Sequence, residues 1–234
     1  PREPRRKRRG AHHMSAAAAS RRLLPGAGFG SLAASLPPDT GDAAIGLLGG
    51  SFNPAHAAHV EISETAIRRL GLARVWWLVT PGNPLKAEGA PAPLDARIAA
   101  ARRLVGSRAI TVTGFERDLS SPYTISTLTF LRQRRPRARF VWLMGADCLA
   151  EFHRWRQWRE IMALMPIAVV DRPGWRMKAL SSITAQSFAS RRIPEYEAAV
   201  LPLLRPPAWV FLTAPLSDLS STAIRARRAS PATG

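Results

Sequence analysis

Two histidines three residues apart, His56 and His59, follow the run Gly49-Gly50-Ser51-Phe52-Asn53-Pro54. On a first helical turn that spacing puts both imidazoles on one face. Paired glycines let a ligand approach the backbone closely, and Pro54 fixes the direction of the chain. The stretch is preceded by an apolar run, Ala43 to Leu48, that reads as a short buried strand. It is followed by Val60 to Leu70, where Val60, Ile67 and Leu70 stand near helical spacing. A strand handing over to a helix gathers free backbone N–H groups and the positive end of the helix dipole at one point. The chemistry offered there is binding of an anion, above all a phosphate. Two histidines also suit a metal, but no nearby cysteine or well-spaced glutamate completes a ligand set. Plain capping or surface histidines are the bland alternative.

The elements that must position this stretch alternate along the chain. Arg74 to Thr80 is a near-continuous apolar strand, of the kind buried on both faces of a parallel sheet. Pro81 to Lys86 is the loop at its carboxyl end, and Leu94 to Val105 carries a helical stripe. Strands are expected at Ala109–Thr113, Arg139–Met144, Pro166–Val170 and Ala208–Leu212. Helices are expected at Thr124–Arg134 and, continuously, at Leu149–Leu164; Ala179 to Leu204 holds a helix or two and a loop, and Leu219–Arg225 opens a last helix. This alternation predicts an α/β fold, a doubly wound, mostly parallel sheet in a single domain. Ligands on such sheets bind beyond the carboxyl ends of the strands, where strand order reverses. The unusual polar residues fall at those ends: 49–59, 81–86, 145–147, 171–174 and 217–225.

No uninterrupted apolar run reaches the roughly 18 residues of a membrane-spanning helix. A single cysteine, Cys148, leaves no internal disulfide framework, fits a reducing cytosol and so a cytoplasmic protein, and reads as a buried small apolar residue. The net charge is +18, carried almost wholly by arginine. Such a surface could meet nucleic acid, a membrane or small anions, but arginine-heavy usage also follows coding bias, so the charge is discounted as a signal. Residues 1–42 read as a disordered tail: Arg5 to Arg9 is a charge block, Ala16 to Ala19 is low in complexity, and Gly26 to Gly30 and Pro37-Pro38 break any helix. No apolar core of a secretory signal is present, and Met14 would serve as a start that makes residues 1–13 dispensable. The expected domain runs over 43–229, with a short tail at 230–234.

The stretch Gly49 to His59 resembles the first signature of the nucleotidyltransferase superfamily and, within it, that of nicotinate-nucleotide adenylyltransferases, with Ala58 where that family has glycine. Ser220-Ser221-Thr222-Ala223-Ile224-Arg225 resembles the superfamily's second signature, Leu219 replacing an isoleucine. Gly145-Ala146-Asp147 with Phe152, Trp155 and Trp158 resembles the family's acceptor-side run; Ser121 to Thr124 is similar to its Ser-x-Tyr-Thr segment, and Asp171 to Gly174 to its Arg-Pro-Gly turn. The resemblance implies a Rossmann-like nucleotidyltransferase fold and transfer of the adenylyl group of ATP to nicotinate mononucleotide. It implies ATP contacts from Gly49, Gly50, Ser51, Phe52, His56, His59, Gly145, Asp147, Ser221, Thr222 and Arg225. Asn53, Lys86, Thr124, Trp155, the backbone N–H of Arg156, and Arg172 would hold nicotinate mononucleotide. His59, His56 and Lys86 would carry catalysis, and Trp158 would pack in the core. Magnesium would ride on ATP rather than on protein ligands. Two alternatives stay open: another small adenylyltransferase, such as the pantetheine-phosphate type, and a non-enzymatic basic nucleic-acid-binding module on the same fold. The oligomeric state is open too, a homo-oligomer included.

Overall fold

A computed structural model describes residues 35–38, 41–82, 91–119 and 121–214 of the chain. Within them six strands form one parallel sheet: β1 (Ala44–Gly50), β2 (Arg74–Val79), β3 (Ile110–Thr113), β4 (Arg139–Gly145), β5 (Ile167–Val170) and β6 (Trp209–Leu212). Their order is β3-β2-β1-β4-β5-β6. The sheet grows one way from β1 to β3 and the other way from β4 to β6, so strand order reverses between β1 and β4. In register, Leu48 stands beside Trp77 on one side and Leu143 on the other.

The strands are buried on both faces, and their side chains divide by the two-residue period. Ile45, Leu47, Trp76, Leu78, Phe140, Trp142, Met144, Ile167, Val169, Trp209 and Phe211 enter one core layer. Leu48, Val75, Trp77, Val79, Val141, Leu143, Ala168, Val170, Val210 and Leu212 enter the other. The first layer is closed by α3 (Thr124–Arg134), α4 (Ala146–Glu151), α5 (Trp158–Leu164), α6 (Arg176–Leu180) and α7 (Ile183–Ser187). The second is closed by α1 (Ala57–Leu70), α2 (Leu94–Leu104) and the 3-10 segment Glu195–Leu203. Helices on both faces of a parallel sheet are the doubly wound arrangement that the alternation predicts. Leu36 packs against the first layer, ahead of the expected domain start.

Two expectations need correction. The helix foreseen over Leu149–Leu164 is broken: α4 ends at Glu151, a 3-10 turn covers Phe152–Arg154, Trp155 is extended, and Gln157 takes a left-handed conformation with φ 54° before α5. At unbroken helical spacing Phe152, Trp155 and Trp158 would share one face. The break lets Phe152 and Trp158 bury themselves while Trp155 stays half-buried. Helix α1 starts three residues earlier than Val60, with His56 as its N-cap. Lys86, Ser221, Thr222 and Arg225 lie outside the described residues, as do most of the tail 1–42 and the boundary at 229–230.

Candidate active site

The first turn of α1 is held by bonds that hydrophobic patterning does not reveal. The backbone N–H of His56 donates to His59 Nδ1 at 3.3 Å. His59 Nδ1 is therefore an acceptor, and its Nε2 carries the ring proton of the neutral imidazole. The two imidazoles lie 4.0 Å apart between centroids, and His59 leans on Phe52 at 4.6 Å. Ser63 Oγ donates to the His59 carbonyl and accepts from Trp77 Nε1, each at 2.8 Å, which ties the turn to β2. Phe52 has φ 45°, which costs a non-glycine residue about 1–2 kcal/mol. Its ring offsets that by burying itself against Trp77, stacked at 4.9 Å and 18°.

A cavity of about 440 Å³ opens at the carboxyl ends of β1 and β4, where strand order reverses. Gly49, Gly50, Ser51, His56 and His59 line it from the β1 side; Gly145, Asp147 and Arg172 line it from β4 and β5; Thr124, Trp155 and Arg156 complete the set of expected residues it gathers. Phe52 and Asn53 are not in its lining: the Phe52 ring is 1% exposed in the core. Ala58 is buried and faces the turn after β5, beside Glu61 and Asp171, rather than the cavity. The extra methyl relative to the family's glycine therefore enters packing under α1.

Two of the glycines make room for side chains. A Cβ on Gly49 would run into the Trp142 indole, and one on Gly145 into Asp147 and Arg172. Asp147 Oδ2 accepts from Arg172 Nη1 at 3.1 Å. Asp147 Oδ1 is buried with no hydrogen-bond partner among the described residues, and so is His56 Nδ1. Burial, helped by the Arg172 charge and opposed by Asp147, lowers the His56 pKa to about 4, so its imidazole is neutral near pH 7. Trp155 meets Trp142 edge-on at 6.4 Å and Phe152 at 5.1 Å, and the Arg156 guanidinium lies 4.6 Å above the Tyr123 ring. The arrangement offers hydrogen-bond donors for an anion, a carboxylate acceptor for a hydroxyl, and an aromatic edge for a flat ring.

The family described as cytidylyltransferase-like matches residues 47–227. A protein of Methylorubrum extorquens named "Probable nicotinate-nucleotide adenylyltransferase" is 59% identical over 183 residues, covering 78% of this chain and 99% of that one. A namesake from Agrobacterium fabrum is 54% identical over 181 residues, covering 77% and 97%. The chain belongs to the nicotinate-nucleotide adenylyltransferase family. Among solved structures, the fold is similar to Plasmodium falciparum nicotinic acid mononucleotide adenylyltransferase complexed with NaAD, with a TM-score of 0.59 at 15% identity over 79% of this chain and 83% of that one.

In this member of the adenylyltransferase family the cavity also holds residues to which the sequence assigns no site role. Glu116, Tyr123, Thr80, Met144 and Cys148 line it. Cys148 is half-buried at the cavity rather than fully buried as expected. Burial raises the Glu116 pKa to about 7, held back by the Thr127 hydroxyl, which donates to its Oε1 at 2.7 Å. Glu116 stands in a 3-10 turn, Phe115–Asp118, within a segment legible only as a polar loop. A lone acid in a polar loop carries no pattern that marks it.

Proposed function

We propose that the chain catalyses attack of the 5′-phosphate of nicotinate mononucleotide on the α-phosphorus of ATP, giving deamido-NAD and pyrophosphate. The observation that carries this reading is that one cavity at the strand-order reversal joins a glycine–histidine wall to an aromatic end formed by Trp155 and Tyr123. One oxygen–phosphorus bond forms to the α-phosphorus and the bond to the β-phosphate bridging oxygen breaks. The nucleophile is already an anion, so no general base is needed, and catalysis is positioning plus charge stabilisation.

The His59 Nε2–H would donate to the α-phosphoryl oxygens as charge builds on them. His56 is neutral near pH 7 and would offer the β- and γ-phosphates a hydrogen bond rather than a full charge. Asp147 Oδ1, buried and with no partner among the described residues, would accept from a ribose hydroxyl. Trp155 would stack on the pyridine ring, with the Thr124 hydroxyl and the Arg156 N–H toward its carboxylate. Arg172 pairs with Asp147, and we place it where the two nucleotides meet. Lys86 would receive the incoming phosphate; Ser221, Thr222 and Arg225 would close the triphosphate clamp.

Magnesium would arrive with the ATP phosphates and supply charge neutralisation there. Among the described residues no three His, Cys, Asp or Glu side chains group as metal ligands, so no residue is given that role. No helix of the described residues is long and apolar enough to cross a membrane, and we place the enzyme in the cytoplasm.

Pyrophosphate release from ATP, with nicotinate mononucleotide, nicotinamide mononucleotide or phosphopantetheine offered separately, tests the reading. Turnover with nicotinate mononucleotide is expected. Turnover only with phosphopantetheine replaces the acceptor, and turnover with none of the three removes the enzymatic reading.

A further inference from the structure

Arg97, in the first turns of α2, is 3% exposed and lies outside the cavity lining. Among the described residues its guanidinium donates to main-chain carbonyls alone: Nε to Ala92 O at 2.7 Å, Nη1 to Ser51 O at 2.7 Å and to Thr80 O at 2.8 Å, and Nη2 to Pro81 O at 3.2 Å. Among the described residues no carboxylate pairs with it. The carbonyls come from three segments: the loop after β1, the carboxyl end of β2, and the stretch entering α2. Ser51 and Thr80 both line the cavity.

A buried cation without a counter-ion is costly, and as filler an apolar side chain would be the better choice. What an apolar residue cannot do is draw carbonyls from three separate segments onto one group; the five N–H donors of a guanidinium, fixed in a fork, can. Holding the Ser51 carbonyl also fixes the next peptide plane. In a trans peptide the C=O and the following N–H point to opposite sides, so the Phe52 N–H is turned away from Arg97. The Phe52 ring is buried in the core, so a contact of Phe52 with a nucleotide would come from its main chain, next to Ser51 at the cavity edge.

We propose that Arg97 is a positioning residue for adenylyl transfer. It aims the Ser51–Phe52 peptide at the phosphates and locks the glycine loop to the end of β2. This role rests on the reaction proposed above.

The test uses the full chain with Arg97→Ala and Arg97→Lys, measuring pyrophosphate release against ATP and nicotinate mononucleotide, thermal unfolding, and rescue by added methylguanidinium. Arg97→Ala is expected to lose about a hundredfold in kcat, the scale of one misdirected transition-state donor. Methylguanidinium should restore at least about tenfold of that, and methylammonium should not, because only the planar fork reproduces the bonds. Arg97→Lys keeps the charge and should still lose about tenfold. A folded Arg97→Ala with wild-type kcat, or a loss that methylguanidinium leaves unchanged, overturns the role. If Arg97→Ala does not fold, a folded Arg97→Lys with wild-type kcat overturns it and a lowered kcat supports it. A wild-type chain without turnover removes the reaction itself, and this role with it.

Discussion

His56, buried, and Glu116, half-buried, border the same cavity and titrate against stability in opposite directions. The folded chain lowers the His56 pKa from 6.5 to about 4, chiefly by burial. Its neutral form is the one that folding favours, so the associated stability is complete above pH 6.5 and is lost as pH falls toward 4. The folded chain raises the Glu116 pKa from 4.5 to about 7, again chiefly by burial. Its protonated form is favoured, so that stability is complete below pH 4.5 and is lost as pH rises toward 7. Neither group figures among the charges acting on the other. Taking about pH 7.5 to about pH 5, acidification costs about 2 kcal/mol through His56, from the ratio of proton-binding terms in the two states. Over the same window it returns about 1–2 kcal/mol through Glu116, reduced because its carboxyl borders the open cavity. In the wild type the two nearly cancel. His56→Gln should therefore become more stable on acidification, and Glu116→Gln less stable. Their profiles should diverge by about 3–4 kcal/mol across the window. Urea unfolding at each pH measures this, and carboxylates common to both variants, such as Glu61 and Glu195, cancel in the comparison. Parallel profiles for the two variants would refute burial as the cause of both shifts.

His59→Ala should lower turnover by about a hundredfold or more while leaving the unfolding midpoint near wild type, since on the proposed reading it deletes a donor to the α-phosphoryl oxygens; pyrophosphate release is the measurement. Trp155→Ala should raise the KM for nicotinate mononucleotide about tenfold, the scale of one lost aromatic stack, and leave the KM for ATP nearly unchanged. Cys148 borders the cavity, so ATP and nicotinate mononucleotide together should slow its alkylation by a maleimide, read by intact mass. An unchanged rate would take Cys148 out of reach of the substrates.

Strand order apart, the fold was legible because each strand is a short apolar run closed by glycine, proline or aspartate. Six were expected and six are found among the described residues, with edges displaced by a residue or two. The site was legible where chemistry is written locally: Gly49, His56, His59 and Asp147 all sit where a strand ends, and the doubly wound sheet brings strand ends together. What was not legible is what depends on distant partners. The break at Trp155 has no proline or glycine to announce it, and is set by which of three aromatics the core accepts. Glu116 owes its character to burial and to Thr127, eleven residues away. Arg97 looks like one more arginine on a helix, and its three carbonyl-bearing segments converge only in the folded chain. Phe52 buries its ring in the core, which the sequence did not reveal, so a contact with ATP would come from its main chain.

The two halves of the cavity are also one packing unit. Gly49 lacks a side chain because the Trp142 indole occupies that space across the neighbouring strand. Trp142 in turn meets Trp155 edge-on at 6.4 Å and 77°, and both line the cavity. The glycine–histidine wall and the aromatic end are thus linked through a rigid indole that cannot give way by rotating a flexible tip. A methyl added by Gly49→Ala must displace that indole, and with it the surface against which Trp155 is braced. The expected result is a higher KM for nicotinate mononucleotide as well as for ATP, although residue 49 lies on the wall proposed to hold ATP. Titrating each substrate at saturating levels of the other separates the two effects. A KM increase confined to ATP would mean that the indole moves without carrying Trp155, and that the two ends of the cavity are mechanically independent.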